Sequence, residues 1–319
     1  MHFLIAGAGA IGGYIGAKLD AAGFDVTLFA RGPHLEAMRR DGLRILSADG
    51  DLHVHPKVTG DLAGAASPDV IILGVKAHAL TTLAPQISPL ISPSTTVVST
   101  QNGIPWWYFD NPPLERVDPG GVISQSIPYT SVLGSLVYFA TDIVEPGVIR
   151  HTEGNRISIG EPDGSRSDRA KKIAEALIKS GLRAPITARL RHEIWVKILG
   201  NVAFNPLSAL TRATLVQMIR DPQVRSIIRN IMTEAETVAT KLGMELPVSI
   251  DQRIAGGEKV GEHKTSMLQD LEAGRPLEIE AIVGAVVELG DRLGVPMPHT
   301  RTVYASARLL DQTSRGVKS

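Results

Sequence analysis

The 319-residue chain contains no cysteine. That excludes disulfide bridges, thiolate nucleophiles and cysteine metal sites, and it suits a reducing compartment. Nor has it a net charge: 33 basic side chains balance 33 acidic ones. With no basic tract and no basic patch interleaved with aromatics, nucleic acid is not an expected partner. No apolar run approaches the length of a membrane span, so no membrane association is expected. The first residues lack the charged start and cleavage pattern of a secretory signal, and the location expected is cytoplasmic. No metal site is expected either. Aromatic residues make up only 4% of the chain, which makes the run Trp106-Trp107-Tyr108-Phe109 conspicuous. What the chain does have is 43% hydrophobic residues, enough for a proper core, and a length that suits two domains better than one.

The most informative stretch is Phe3–Arg31. Phe3–Ala6 is a short apolar run fit for a buried strand. Gly7-Ala8-Gly9-Ala10-Ile11-Gly12 then matches G-x-G-x-x-G. Ile15, Leu19 and Ala22 continue at helical spacing to a stop at Gly23, and Asp25–Phe29 is a second strand. Strand, glycine turn, helix and strand within about 30 residues is the context in which this fingerprint binds a dinucleotide. Gly7 permits the tight turn, Gly9 lets a pyrophosphate approach the backbone, and Gly12 lets helix pack on strand. The helix N-terminus presents unpaired N–H groups to the anion. An NAD site usually carries Asp or Glu at the end of the second strand to accept from the ribose 2′-OH. Ala30 and Arg31 stand there instead, and a guanidinium suits a 2′-phosphate, which predicts NADP; the alternative is a solvated surface arginine.

Further along, Arg44–Leu46, Leu52–Val54, Val70–Val75, Thr96–Ser99, Leu133–Ala140, Val148–His151 and Arg156–Ile159 read as strands. Lys76 follows the third of these, at the carboxyl end where ligands of open α/β sheets sit, and reads equally as a surface lysine. Gln101-Asn102-Gly103 follows the fourth and by spacing alone reads as a turn. The proline-rich segment 104–127 opens with the aromatic run, which predicts a lid or a subunit contact, or else a loop packing its own aromatics on the domain. Strand patterns cease near Gly181–Ala188. After this border Arg191–Leu210, Pro222–Leu242, a stretch from Ser266, Glu278–Leu293 and Pro298–Leu310 read as helices. The expected organisation is α/β: a Rossmann-type domain over 1–185 and a mostly helical domain over 186–319.

In the helix from Arg191, Ile194, Trp195, Ile198, Leu199, Val202 and Ala203 leave almost no polar face, which means burial. Lys197, Asn201 and Asn205 nevertheless share one stripe at i, i+4 and i+8. Such a stripe can hold a small polar substrate, or serve a polar contact between domains. Pro206 is expected to kink or end the helix near Asn205. Ser266, with Gln269 three residues on, reads as a helix cap; Glu278 and Glu280 read as favourable first-turn carboxylates.

Taken together, GAGAIG, Arg31, Val75-Lys76, Gln101–Gly103, PGVIRH at Pro146–His151, WVKILGNVAFNPLSAL and SMLQDLEAGRPLEIEAI resemble the ketopantoate reductase (2-dehydropantoate 2-reductase) family nearly end to end. The resemblance implies reduction of a 2-keto acid, ketopantoate, to pantoate with NADPH, in pantothenate and coenzyme A biosynthesis. It implies Lys197 as catalytic lysine and Glu278 as a glutamate near the reaction centre and the cofactor ribose. It implies Asn201, Asn205 and Ser266 as substrate residues, Asn102 as a contact of both cofactor and substrate, and Arg31 and Lys76 as cofactor-binding cations. The implied partners are the small 2-keto acid and, as an option left open, a second copy of the chain. The segment after Gln101–Gly103 is longer than the family commonly has, and an additional family asparagine has no counterpart in TRATLVQM. These departures touch the substrate side and keep open a bulkier 2-keto acid as substrate; a non-catalytic NADP(H) sensor is a separate alternative, against which the retention of Lys197 with Glu278 argues.

Overall fold

The structure is a computed structural model that describes residues 1–63, 65, 67–109 and 112–315. By internal contacts the chain forms two units. Unit 1 comprises Met1–Gln101, Trp106–Pro113 and Asp118–Leu190; unit 2 comprises Asn102–Pro105, Leu114–Val117 and Arg191–Ser319.

Unit 1 is a nine-stranded sheet with helices. Its strands are β1 (His2–Ala6), β2 (Asp25–Phe29), β3 (Leu43–Ser47), β4 (Leu52–Val54), β5 (Lys57–Thr59), β6 (Val70–Leu73), β7 (Thr96–Ser99), β8 (Val132–Glu145) and β9 (Val148–Gly160), in the order β4-β3-β9-β8-β7-β6-β1-β2-β5. The run from β5 through β8 is parallel throughout, and β8 and β9 form a long antiparallel hairpin. β6 and β7 are buried at every position, as befits parallel strands covered on both faces. Its helices are α1 (Ala10–Ala21), α2 (Gly32–Asp41), α3 (Leu80–Ile87), α4 (Val122–Ser126) and α5 (Asp168–Lys179). Because β1 lies between β2 and β6, the strand order reverses at β1, and the carboxyl ends of these three strands form the crevice where such sheets bind ligands.

Two strand readings need correction. Val148–His151 and Arg156–Ile159 are one strand, β9, in which Gly154 takes φ +73° against Tyr138 of β8. The three-residue edge strand β5 has no apolar signature and was not expected.

Unit 2 is helical: α6 (Leu190–Thr211), α7 (Leu215–Arg220), α8 (Pro222–Lys241), α9 (Ile250–Val260), α10 (Ser266–Glu272), a π-turn (Glu280–Gly284) running into α11 (Ala285–Leu293), and α12 (Pro298–Ser314). Local caps start several of them. Asp221 accepts from Gln223 and Val224 N–H, and Ser249 forms a reciprocal box with Gln252. Pro206 does not end α6, which runs on to Thr211. Proline removes one helical hydrogen bond, but Leu207 and Ala209 beyond it are buried, and that packing carries the helix through. Among the described residues no helix is long and apolar enough to cross a membrane.

The aromatic run is neither lid nor exposed contact. Trp106, Trp107 and Tyr108 are each buried within unit 1. Trp107 Nε1 donates to Ser99 Oγ at 2.7 Å, and the rim of its ring occupies the space left at Gly134 of β8, which has no side chain. Asp110 and Asn111, later in the same segment, lie outside the described residues.

Candidate active site

In unit 1 a cavity of about 400 Å³ opens at the crevice of β1, β2 and β6, lined among others by Gly7, Ala8, Gly9, Arg31, His34 and Thr82. Gly7 has φ +107°, and a β-carbon there would press on Val75, so only glycine makes the turn. At Gly9, the N-cap of α1, a β-carbon would meet nothing nearer than Gly74 O at 3.8 Å, and no side chain caps the helix. The start of α1 therefore offers unpaired N–H groups to an open cradle, the arrangement that holds a phosphate. Ala10 and Ile11 form the first turn of α1, and Gly12 packs against Gly7 O.

Arg31 is exposed at the N-terminus of α2, over the Phe29 ring at 5.3 Å, with Nη2 donating to Gln86 Oε1 at 3.1 Å. A neutral acceptor leaves its charge uncompensated by that contact. Lys76 begins the turn after β6, partly exposed, and does not line the cavity. His34 was not singled out by sequence. Its Nδ1 accepts from Gly147 N at 2.9 Å, so Nε2 carries the proton given to Ala8 O at 3.0 Å. Burial lowers its pKa, and the neutral ring braces the glycine turn. His151 of the PGVIRH motif is likewise structural: it stacks on Tyr14 at 4.7 Å and meets Ser47 Oγ at 3.0 Å.

In unit 2 a second cluster forms around α6. Lys197 is partly buried, and its Nζ donates to Asn102 Oδ1 at 2.7 Å. Desolvation lowers the Lys197 pKa to about 8, with nearby Glu278 opposing that shift and nearby Arg253 adding to it. The motif around Asn102 divides its labour. Gln101 Nε2, in unit 1, donates to Leu73 O and Val75 O, each at 2.8 Å. Gly103, at φ +96°, lies so close to Ala281 that a β-carbon would collide with its carbonyl. Ile104 N then donates to that carbonyl at 2.9 Å. The Ala281 carbonyl of the π-turn thus accepts from a second segment, and this joins the Asn102 loop to the helix start that carries Glu278.

Glu278 immediately precedes that helix, its carbonyl accepting from Ile282 N at 3.2 Å. Glu280 is occupied differently: Tyr304 donates to it at 2.6 Å, and Arg116 and Arg308 lie within 3.7 Å. On α6, Asn201 is partly buried and Asn205 is 5% exposed. Ser266 does not cap α10. Thr265 does, accepting from Leu268 N at 3.3 Å, and buried Ser208 bonds the Thr265 hydroxyl. Ser266 is exposed in the first turn. The Ser208–Thr265 bond fixes the start of α10 to α6 one turn beyond Asn205. Among the described residues no three His, Asp or Glu side chains are grouped to hold a metal.

A Rossmann-type sheet with an anion cradle and a helical unit carrying a desolvated lysine fit a nucleotide-dependent oxidoreductase. Comparison with known proteins is more specific. The family model for ketopantoate reductase PanE/ApbA matches residues 3–164, and the model for its C-terminal part matches residues 189–311. The chain belongs to the ketopantoate reductase family. It is 47% identical to the 2-dehydropantoate 2-reductase of Mesorhizobium japonicum, over 97% of this chain and 98% of that protein. A structure from Ralstonia solanacearum, described as a candidate ketopantoate reductase, superposes with a TM-score of 0.93 at 40% identity, covering 99% of each chain. D-Mandelate dehydrogenase, solved with NADH and anilino(oxo)acetate, shares the fold at a TM-score of 0.86 and 23% identity, covering 98% of this chain and 99% of that one. The family is one of enzymes, and the chain is an oxidoreductase of that family.

Proposed function

We propose that the chain reduces 2-dehydropantoate to pantoate with NADPH. The observation that carries this reading is the Lys197–Asn102 hydrogen bond at 2.7 Å, made by a lysine whose pKa is lowered to about 8. A lysine in that range is charged at neutral pH yet gives up its proton readily.

The cofactor reading rests on the cavity of unit 1. Its cradle at Gly9, the bare N-terminus of α1 and the Arg31 guanidinium fit a dinucleotide bearing a 2′-phosphate. Gly7–Gly12 would hold the pyrophosphate and Arg31 would take the 2′-phosphate in a charge-assisted fork, with Lys76, after β6 but outside the cavity lining, as a further cation nearby in sequence. When bound, NADPH supplies the hydride that reduces the ketone carbon.

The chain's own residues handle the oxygen. As the carbonyl oxygen gains charge, the Lys197 ammonium stabilises it and transfers a proton to it, giving the hydroxyl; the neutral amine is then reprotonated from solvent. Asn102 orients the ammonium, with Asn102 and Ser266 meeting the substrate carboxylate. Asn201 and Asn205 hold its other polar groups. Glu278 supports the charged form of Lys197. The burial of Trp106–Tyr108 weakens one of the two grounds for a bulkier substrate, the aromatic segment.

The test is a set of initial rates with NADPH over a panel of 2-keto acids. This reading predicts the highest kcat/KM with 2-dehydropantoate. A clear preference for another 2-keto acid would overturn the substrate assignment, and turnover of none would overturn the reaction.

A further inference from the structure

We infer that Arg253 anchors the carboxylate of the 2-keto acid; this rests on the reading of Lys197 as the acid in unit 2. Arg253 lies on α9, and its guanidinium stands over Gly200 of α6. A β-carbon at Gly200 would fall 2.6 Å from Nε and 2.8 Å from Cζ. A larger residue at 200 would therefore displace the guanidinium from this position. One turn further on, Gly257 of α9 sits against Phe204 of α6, where a β-carbon would lie 3.1 Å from the ring. Glycine at two successive contacts brings α9 close enough to seat the arginine head on α6, rather than leave it in solvent.

Gly200 lies between Lys197 and Asn201, so the guanidinium borders the polar stripe of α6. Its field reaches Lys197 and adds to the lowering of that lysine's pKa. Two cations side by side repel, and Glu278 opposes part of that effect at Lys197. A monoanionic substrate adds negative charge beside them. The Lys197 charge serves the ketone oxygen, and the planar fork of Arg253 suits a carboxylate. Asn102, Asn201, Asn205 and Ser266 offer only neutral hydrogen bonds, which do not by themselves favour an acid over its uncharged derivatives.

The experiment compares the wild-type enzyme with Arg253→Gln and Arg253→Lys, on 2-dehydropantoate and on its lactone, which keeps the ketone but has no carboxylate. Calorimetry of pantoate binding to the NADP-loaded protein gives a readout independent of turnover. In Arg253→Gln the kcat/KM for the acid should fall on the order of 30- to 1,000-fold, mainly through KM, with pantoate affinity falling in parallel and the lactone changing less than about 3-fold. Arg253→Lys should recover part of the loss, since it keeps the charge without the fork. Equal losses on acid and lactone, or unchanged pantoate affinity, would show Arg253 to be a packing element and overturn the inference. Failure of the wild-type enzyme to reduce the acid would instead sink the underlying reading, and that shows before any variant is made.

Discussion

Lys197 Nζ stands 2.7 Å from Asn102 Oδ1, so the ammonium is oriented by a residue from a distant part of the chain. The acid must be protonated to act, so the rate is lost as pH rises through the Lys197 pKa, lowered to about 8. Asn102→Asp places a carboxylate beside the ammonium, raises that pKa and moves the basic limb of kcat/KM to higher pH. Asn102→Ala removes the acceptor and moves the limb lower. Absolute rates fall in both; the position of the limb is what is read. An unmoved limb would assign it to another group. Stability follows the opposite protonation state. The unfolded lysine, near 10.5, holds its proton more tightly than the folded one. The cost of the buried charge is thus fully present below pH 8 and fades as pH rises towards 10.5.

Gly9 separates binding from folding. Its φ of −71° is open to alanine, and a β-carbon there meets no protein atom within 3.8 Å. Gly9→Ala should change stability by less than about 1 kcal/mol. NADPH affinity should fall on the order of tenfold or more, because the methyl occupies the cradle for the pyrophosphate. Unaltered affinity, titrated by NADPH fluorescence, would move the cofactor elsewhere.

Arg31 sets the choice of cofactor. Arg31→Ala should weaken NADPH binding by about 1.5–3 kcal/mol, the range for hydrogen bonds to a charged group, while NADH binding is spared. Equal affinity of the unaltered protein for both cofactors would contradict the assignment.

Trp107 is a core residue. Trp107→Ala opens a void at Gly134 and removes the donor to Ser99, at a cost of about 3–5 kcal/mol. Urea unfolding should report that loss, while the folded variant keeps its selectivity among 2-keto acids. Changed selectivity at unchanged stability would return the segment to the substrate site.

The glycine turn was legible because Gly7 adopts a backbone angle that other residues avoid, whatever surrounds it. Lys197 was legible as an exception, a charge on a helix apolar nearly all round. Asn102 was not legible by spacing, because Asn-Gly after a strand reads as a turn; its role depends on Gly103 meeting the Ala281 carbonyl, a contact far away in sequence. Thr265 and Ser266 are adjacent hydroxyls, and the contacts with Leu268 N–H and Ser208 distinguish the buried cap from its exposed neighbour. Arg253 was hidden for a similar reason. Gly200 reads as a weak helix former until the guanidinium above it is seen, and Gly256-Gly257 are likewise weak helix formers inside α9.

The central claim is that Lys197 delivers the proton to the reduced ketone, and it is tested most directly by Lys197→Ala. Turnover of 2-dehydropantoate, NADPH affinity and melting temperature are measured on one preparation. The account predicts a folded protein that binds NADPH normally and has lost kcat by about 10²–10⁴. A folded, NADPH-binding variant that still turns over at close to the wild-type rate would contradict it.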